Sequence, residues 1–227
     1  MFRNLFGCSL SAEEYFNAAS YHKESTNDLI IKAKFLLETK PFEITTGCSD
    51  LGKLVKKRGN AVLREVHLLS AYMRLKPYSE MVLVGECNNE HDTCYLIAKS
   101  LARRFDRFVI IVFASKSFSV VTNRTDLPEF PKFRGSSKQT IIEKVRCFAK
   151  QTIKDGFPKE FFNEDGDSLW EKYYETQFLE QRLNVKLFRK FIPKYALEKA
   201  NMKIEKEFYE KVVEQRKEKH TLDFFFD

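Results

Sequence analysis

The sequence lacks the features of a membrane protein, a secreted protein or a disulfide-bonded scaffold. No apolar run approaches the ~20 residues that cross a bilayer, and the opening Met1-Phe2-Arg3-Asn4 has no signal-peptide pattern. The five cysteines have irregular spacings, which excludes a regular disulfide framework. These absences predict an intracellular protein with no membrane partner, cytoplasmic in a prokaryote or nuclear in a eukaryote.

Several enzyme signatures are also missing. The sequence contains no phosphate-binding glycine loop, no Cys-x-x-x-Cys-x-x-Cys cluster site and no Gly-x-Ser-x-Gly elbow. We therefore predict no cofactor, but scattered catalytic carboxylates are invisible in a sequence, so enzyme activity stays open. Cys87, His91 and Cys94 have short spacings that a zinc ion could use. Their pattern is atypical for zinc, and small buried side chains are the preferred interpretation of the two cysteines.

The charge is predominantly basic. Lys and Arg outnumber Asp and Glu by 39 to 32, which gives a formal net charge of +7. This excess is compatible with a polyanionic partner. The basic residues form three blocks: Lys53, Lys56, Lys57, Arg58 and Arg64; Arg103, Arg104 and Arg107; and Lys144, Arg146, Lys150 and Lys154.

The hydrophobic pattern predicts an α+β fold, a small mixed sheet packed with many helices. Strands are expected near 81–86, 108–114 and 117–122, and the apolar run 108–113 is expected to be central. Ser11 and Glu14 predict a capping box at the first helix. The expected helices span 11–24, 28–38, 51–58, 61–75, 88–105, 138–153, 167–181, 184–191 and 196–218.

Two histidines are candidate functional residues. Arg64, His67 and Arg74 are spaced to share one helix face, where they could contact phosphates. The alternative for His67 is a histidine packed against the sheet. His91 is expected at the start of a helix, where free backbone N–H groups could bind an anion.

Aromatic residues near 170–182 allow two interpretations. Trp170, Tyr174 and Phe178 recur at helical spacing with Tyr173 beside them, and Arg182 follows. This stripe could stack on unpaired bases, but a buried helix face is the preferred interpretation.

Two regions together resemble a known family. One runs from Leu54-Val55-Lys56-Lys57 through Arg64-Glu65-Val66-His67 to Tyr72-Met73-Arg74-Leu75, with Asn89-Glu90-His91 and Ala102-Arg103-Arg104-Phe105 following. The other runs from Leu169-Trp170-Glu171-Lys172-Tyr173-Tyr174 through Arg182-Leu183-Asn184 to Phe191-Ile192-Pro193-Lys194-Tyr195. In order and spacing, over roughly residues 50 to 200, they resemble the uncharacterised "probable DNA metabolism protein" family.

The resemblance implies a role in DNA repair. Members occur alone or fused to a uracil-DNA-glycosylase-like domain, and beside a radical-SAM DNA modification or repair protein, so a glycosylase or such a protein is an expected partner. The chain is expected to divide into an N-terminal helical segment (1–50), a family-like α+β domain (51–204) and, beyond the family's usual end, a charged helix with an aromatic tail (205–227). The expected nucleic-acid contacts are Lys56, Lys57, Arg64, His67, Arg74, His91, Arg103, Arg104 and Arg182.

The aromatic tail, residues 219–227, resembles the peptide by which DNA repair proteins bind the sliding clamp (PCNA). Leu222 stands three residues before the pair Phe225-Phe226, and Lys219 occupies the position where that peptide normally has Gln. The alternative is a tail folded back on its own domain.

Three functions are consistent with the sequence. The preferred one is a DNA-binding accessory factor of DNA repair or base modification, recruited to the sliding clamp by the aromatic tail. The alternatives are an enzyme acting on a damaged or modified base, with His67 and His91 as candidate catalytic residues, and a non-catalytic protein–protein adaptor.

Overall fold

The computed structural model describes residues 10–79, 81–114, 117–124, 137–152, 194–200 and 210. Within these ranges the chain forms seven helices and one four-stranded sheet, which confirms the α+β class. The helices are α1 (Ala12–Ser20), α2 (Asn27–Thr39), α3 (Pro41–Thr46), α4 (Asp50–Tyr72), α5 (Cys94–Arg104), α6 (Lys138–Thr152) and α7 (Lys194–Lys199). The strands are β1 (Leu75–Ser79), β2 (Val82–Glu86), β3 (Val109–Phe113) and β4 (Phe118–Thr122).

The sheet is mixed, as predicted, with the strand order β1-β2-β3-β4. β2 and β3 are parallel, and the two outer pairs are antiparallel. Alternate residues of β3 face opposite sides: Ile110 packs in the core formed with α4 and α5, whereas Ile111 packs against α6. Because helices cover both faces, all five residues of β3 are buried, which explains its continuous apolar sequence.

The helix α4 is longer than predicted. The sequence predicts two helices separated at Gly59-Asn60, but α4 runs unbroken from Asp50 to Tyr72. A Cβ atom on Gly59 would lie 2.7 Å from the backbone oxygen of Tyr15 in α1. The glycine therefore permits close packing of two helices and does not end one.

The segment after α4 also differs from the prediction. Met73 caps α4 with an extended backbone, and Arg74 follows it, so Arg74 is not on the helix face of Arg64 and His67. The predicted shared face is therefore wrong for Arg74. Pro77 lies in strand β1, which the sequence did not reveal; among the described strands β1 pairs with β2 alone, at the sheet edge, where a residue without an N–H is tolerated.

The N-terminal helices pack on the first half of α4. The Ser11 and Glu14 capping box is present as predicted. Between α2 and α4, where the sequence predicted only a break, α3 forms a short helix that Gly47 ends with a left-handed backbone. Tyr15 of α1, Ile44 of α3 and Val55 of α4 belong to one core cluster.

Some predicted features fall outside the described residues. They are the helices at 167–181 and 184–191, the aromatic stripe with Arg182, and the aromatic tail. Of the helix predicted over 196–218, the structure describes the part within α7 and Glu210. None of the helices in the described ranges is both long enough and apolar enough to span a membrane.

Candidate nucleic-acid interface

One side of α4 forms an exposed basic stripe, which we call the α4 basic face. It consists of Lys53, Lys57, Asn60, Arg64 and His67, all exposed. Their spacing alternates between four and three residues, which keeps them on one side of an α-helix over about 21 Å. None of the five is acidic, so the face can present uninterrupted positive potential to a polyanion.

The cations of this face have no ion-pair partner among the described residues. The side chains of Lys53, Lys57 and Arg64 form no hydrogen bond or ion pair with any other described group. Some exposed lysines elsewhere pair with carboxylates, such as Lys32 with Asp28, and the α4 basic face differs in placing in one row three cations that are unpaired among the described residues. Unpaired cations need not break an ion pair before they contact phosphate.

Other predicted contacts have structural partners. Lys56 donates a hydrogen bond from Nζ to the Thr45 carbonyl at 2.5 Å. Arg104 donates from Nη1 to the Ser70 carbonyl at 3.2 Å. These charged groups therefore hold neighbouring elements together, and a phosphate would compete with the carbonyls.

The remaining predicted basic residues are dispersed. Arg103 is exposed on α5, and Arg74 is half-buried after the end of α4. The structure thus gathers Lys57, Arg64 and His67 on one face and adds Lys53, which was noted only as part of a basic block. A helical repeat of 53, 57, 60, 64 and 67 across the expected break at Gly59 would have revealed the complete face.

On another side of α4, Glu65 is buried and holds a loop in place. Its carboxylate accepts hydrogen bonds from the backbone N–H groups of Glu90 (2.6 Å) and His91 (3.1 Å). The hydroxyls of Thr93 (2.8 Å) and Tyr195 (2.7 Å) donate to it as well. Burial, followed by the hydrogen bond to Glu65, raises the pKa of Tyr195 and keeps its hydroxyl a donor.

This arrangement corrects the anion site expected near His91. The helix begins at Cys94, later than predicted, so His91 lies in the preceding loop. The backbone N–H groups of Glu90 and His91 do bind an anion, but it is the carboxylate of Glu65. The sequence contained one signal of this contact, because Glu65 lies between the buried positions Val62 and Leu69 of α4.

The two candidate histidines occupy different environments. His91 is 8% exposed, and its ring stacks on that of His22 with centroids 4.4 Å apart. Its Nδ1 atom is buried and has no hydrogen-bond partner within the described part of the chain. His67 is exposed on the α4 basic face, two residues and about 200° around the helix from Glu65, which binds the His91 loop.

The cysteine environment does not favour zinc. Cys87 and Cys94 are buried in the main core as predicted, and the Cys94 thiol lies 3.3 Å from the Val112 carbonyl. Burial raises the pKa of the Cys87 thiol to about 12 and also raises that of Cys94. Zinc binds thiolates, so these environments oppose ligation. The described residues contain no group of three potential ligands.

The fold and this face together define a mixed α+β domain with a basic helical surface. The chain belongs to a family described as a domain of unknown function (DUF4130), whose model matches residues 42–200. This confirms membership of an uncharacterised domain family over nearly the predicted range. No curated protein and no solved structure matches the chain. The matched range includes the α4 basic face, Glu65 and His91, whereas His22 precedes it.

Proposed function

We propose that the protein is an intracellular DNA-binding accessory factor of DNA repair or base modification, and that the α4 basic face contacts the phosphate backbone. The observation that carries the proposal is the row of exposed cations with no ion pair among the described residues. Lysine and arginine contacts to phosphate release counterions, which makes such binding dependent on salt. Within the face, Arg64 offers a bidentate fork and His67 a further donor.

The proposal is tested by measuring DNA affinity over a salt series. The triple variant Lys53→Ala, Lys57→Ala, Arg64→Ala removes three cations of the face. The slope of log affinity against log salt should decrease by about 2.7, since each phosphate contact contributes about 0.9 for duplex DNA. Fluorescence anisotropy with duplex and single-stranded oligonucleotides provides the measurement for both substrates.

A control variant separates a specific face from net charge. Lys32→Ala, Lys34→Ala, Lys99→Ala removes the same charge from exposed positions on α2 and α5. This variant should bind DNA with a nearly unchanged slope. Equal losses in both triple variants would show that only net charge matters, and an unchanged slope in the α4 variant would overturn the proposed interface.

Recruitment to the sliding clamp is the second part of the proposal. It is supported by the spacing of Leu222, Phe225 and Phe226, whose side chains would enter one apolar pocket of the clamp. Replacing all three with Ala in the full chain should abolish clamp binding in a pull-down and leave DNA binding intact. Lys219→Gln, which restores the residue usual in that peptide, should strengthen clamp binding. Retention by the triple variant would refute clamp recruitment through this peptide.

A non-catalytic role is preferred over the enzyme alternative. A shared acid–base site requires both histidines to reach one substrate. His67 is exposed on the α4 basic face, whereas His91 is buried against His22. A glycosylase, or a radical-SAM protein with which the accessory factor would cooperate, would supply the reaction.

A further inference from the structure

An apolar groove lies between α2, α3 and the start of α4. Its volume is about 570 Å³, and its apolar walls are Ile31, Phe35, Leu36 and Leu51. The groove is open to solvent, since Ile31 and Phe35 in its wall are mostly exposed. The groove therefore has room for a few apolar side chains of a partner segment.

The groove leaves large apolar side chains in water. Ile31 is 69% exposed and Phe35 is 67% exposed, and Phe42 on the adjoining α3 is 58% exposed. The described ranges contain four large exposed hydrophobic residues: these three and Tyr95. A contiguous apolar patch of this kind marks a binding surface, because covering it removes apolar area from water.

We propose that the occupant of this groove is the aromatic tail of the same chain, through Leu222 and Phe224–Phe226. Three consecutive phenylalanines supply a large apolar area that can cover the exposed walls of the groove. The docking needs no other protein; its regulatory consequence, competition with the clamp for the same side chains, rests on the proposed function.

The charges of the groove rim and the tail are complementary. Two lysines and one carboxylate line the groove (Lys32, Lys40 and Glu43), which leaves a net positive rim, while Asp223 and Asp227 flank the three phenylalanines. The lysines now pair with Asp28 and Glu43 in exposed contacts of 2.8 and 3.5 Å. Such exposed pairs contribute about 0–1 kcal/mol, so the lysines can turn to the tail carboxylates at little cost.

The connecting chain sets how far the tail reaches from Glu210. Ten residues, 211–220, lie between Glu210 and Thr221, and the eleven steps span about 36 Å if extended and about 22 Å if the predicted helix continues to residue 218. For comparison, a folded chain of 227 residues has a radius of gyration of about 17 Å. A tether of this kind holds the tail at an effective concentration on the order of millimolar, so a weak intrinsic affinity suffices for occupancy.

The docking is tested by cross-linking in the full chain. Thr39→Cys places a thiol at the groove and Thr221→Cys places one beside the tail anchors, with Cys8 and the exposed Cys48 and Cys147 replaced by Ser. A short bismaleimide should join the two positions in high yield. The matched control pairs Thr221→Cys with Lys99→Cys, on exposed α5, and should give at least tenfold less product.

Two additional arms identify the occupant. In a mixture of ¹⁴N- and ¹⁵N-labelled chains, products within one isotope confirm the own-chain tail, whereas mixed products mean that a second copy fills the groove and overturn the proposal. Adding Phe225→Ser and Phe226→Ser should reduce the yield to that of the control. Equal yields from Thr39→Cys and Lys99→Cys would also overturn docking.

The clamp arm separates this proposal from the proposed function. Saturating clamp should lower the cross-link yield, and Phe35→Asp should raise the affinity for the clamp by freeing the tail. If the clamp does not bind the full chain or the Phe35→Asp variant, clamp recruitment fails while the cross-linking result for docking still stands.

Discussion

Two sides of the same helix, α4, have opposite chemistry. On one side the Glu65 carboxylate is buried and accepts four hydrogen bonds from the loop before α5 and from α7. On the other side Lys53, Lys57 and Arg64 are exposed and form no ion pair with other described residues. On this helix, the Glu65 carboxylate is hydrogen-bonded within the fold, whereas the cations of the α4 basic face are available to solvent and to a binding partner.

The difference separates a structural role of charge from a binding role. A buried carboxylate has to be hydrogen-bonded, because an unsatisfied one would oppose folding. An exposed cation without a partner contributes little to folding and is retained at small cost. Substitutions on the two sides should therefore have very different effects on stability.

The largest effect is expected for Glu65→Ala. The substitution leaves two N–H groups and two hydroxyls without their acceptor, with the bonds from His91 and Thr93 buried, so the free energy of unfolding should fall by at least about 3 kcal/mol. Urea denaturation followed by circular dichroism measures it. Glu38→Ala, at an exposed position on α2, should change stability by less than about 0.5 kcal/mol. Similar small changes in both variants would contradict the structural role of Glu65.

A smaller loss is expected for Gly59→Ala. The added methyl would meet the Tyr15 carbonyl at 2.7 Å, so α1 and α4 must move apart. Overpacking of this kind costs about 1–3 kcal/mol, against a small gain in helix propensity. Asn60→Ala, at the neighbouring exposed position, should be neutral or stabilising. Thermal melts compare the two; a stabilised Gly59→Ala variant would refute the close helix contact.

A modest, pH-dependent effect is expected at His22. Burial, with contributions from His91 and Arg58, lowers its pKa below the ordinary 6.5. The unfolded chain therefore binds more protons as the pH falls through this range, and the native state loses stability on acidification. His22→Asn should lose less stability than the parent between about pH 7.5 and about pH 5.5. Parallel pH profiles for both proteins would contradict this role.

The smallest effect on stability is expected on the α4 basic face. Lys53→Ala, Lys57→Ala, Arg64→Ala should unfold within about 0.5 kcal/mol of the parent, since these side chains have no described partner to lose. Denaturation of the same samples used for DNA titration measures this. A large loss of stability would show that these three side chains stabilise the fold, and the contrast with Glu65 would no longer hold.

Local sequence was sufficient for part of the fold and part of the candidate site. The Ser11–Glu14 capping box involves neighbours in sequence, and the run 109–113 is apolar because both of its faces are covered. By contrast, Gly59 resembled a helix break because glycine disfavours helices. The reason for a glycine inside α4 is its close contact with Tyr15, which is far away in sequence. Strand β1 escaped prediction because Pro77 is acceptable only at an edge, and edges are set by pairing.

By itself, the sequence determined the α+β class, the main helices, the three predicted strands and the basic character of the chain, because these depend on periodicity and composition. Only the tertiary structure decided which charges are satisfied. The anion near His91 is Glu65 because that loop lies against α4, and the α4 basic face is continuous because α4 runs unbroken through Gly59, where α1 packs closely. Partners distant in sequence decide such contacts, and no local pattern encodes them.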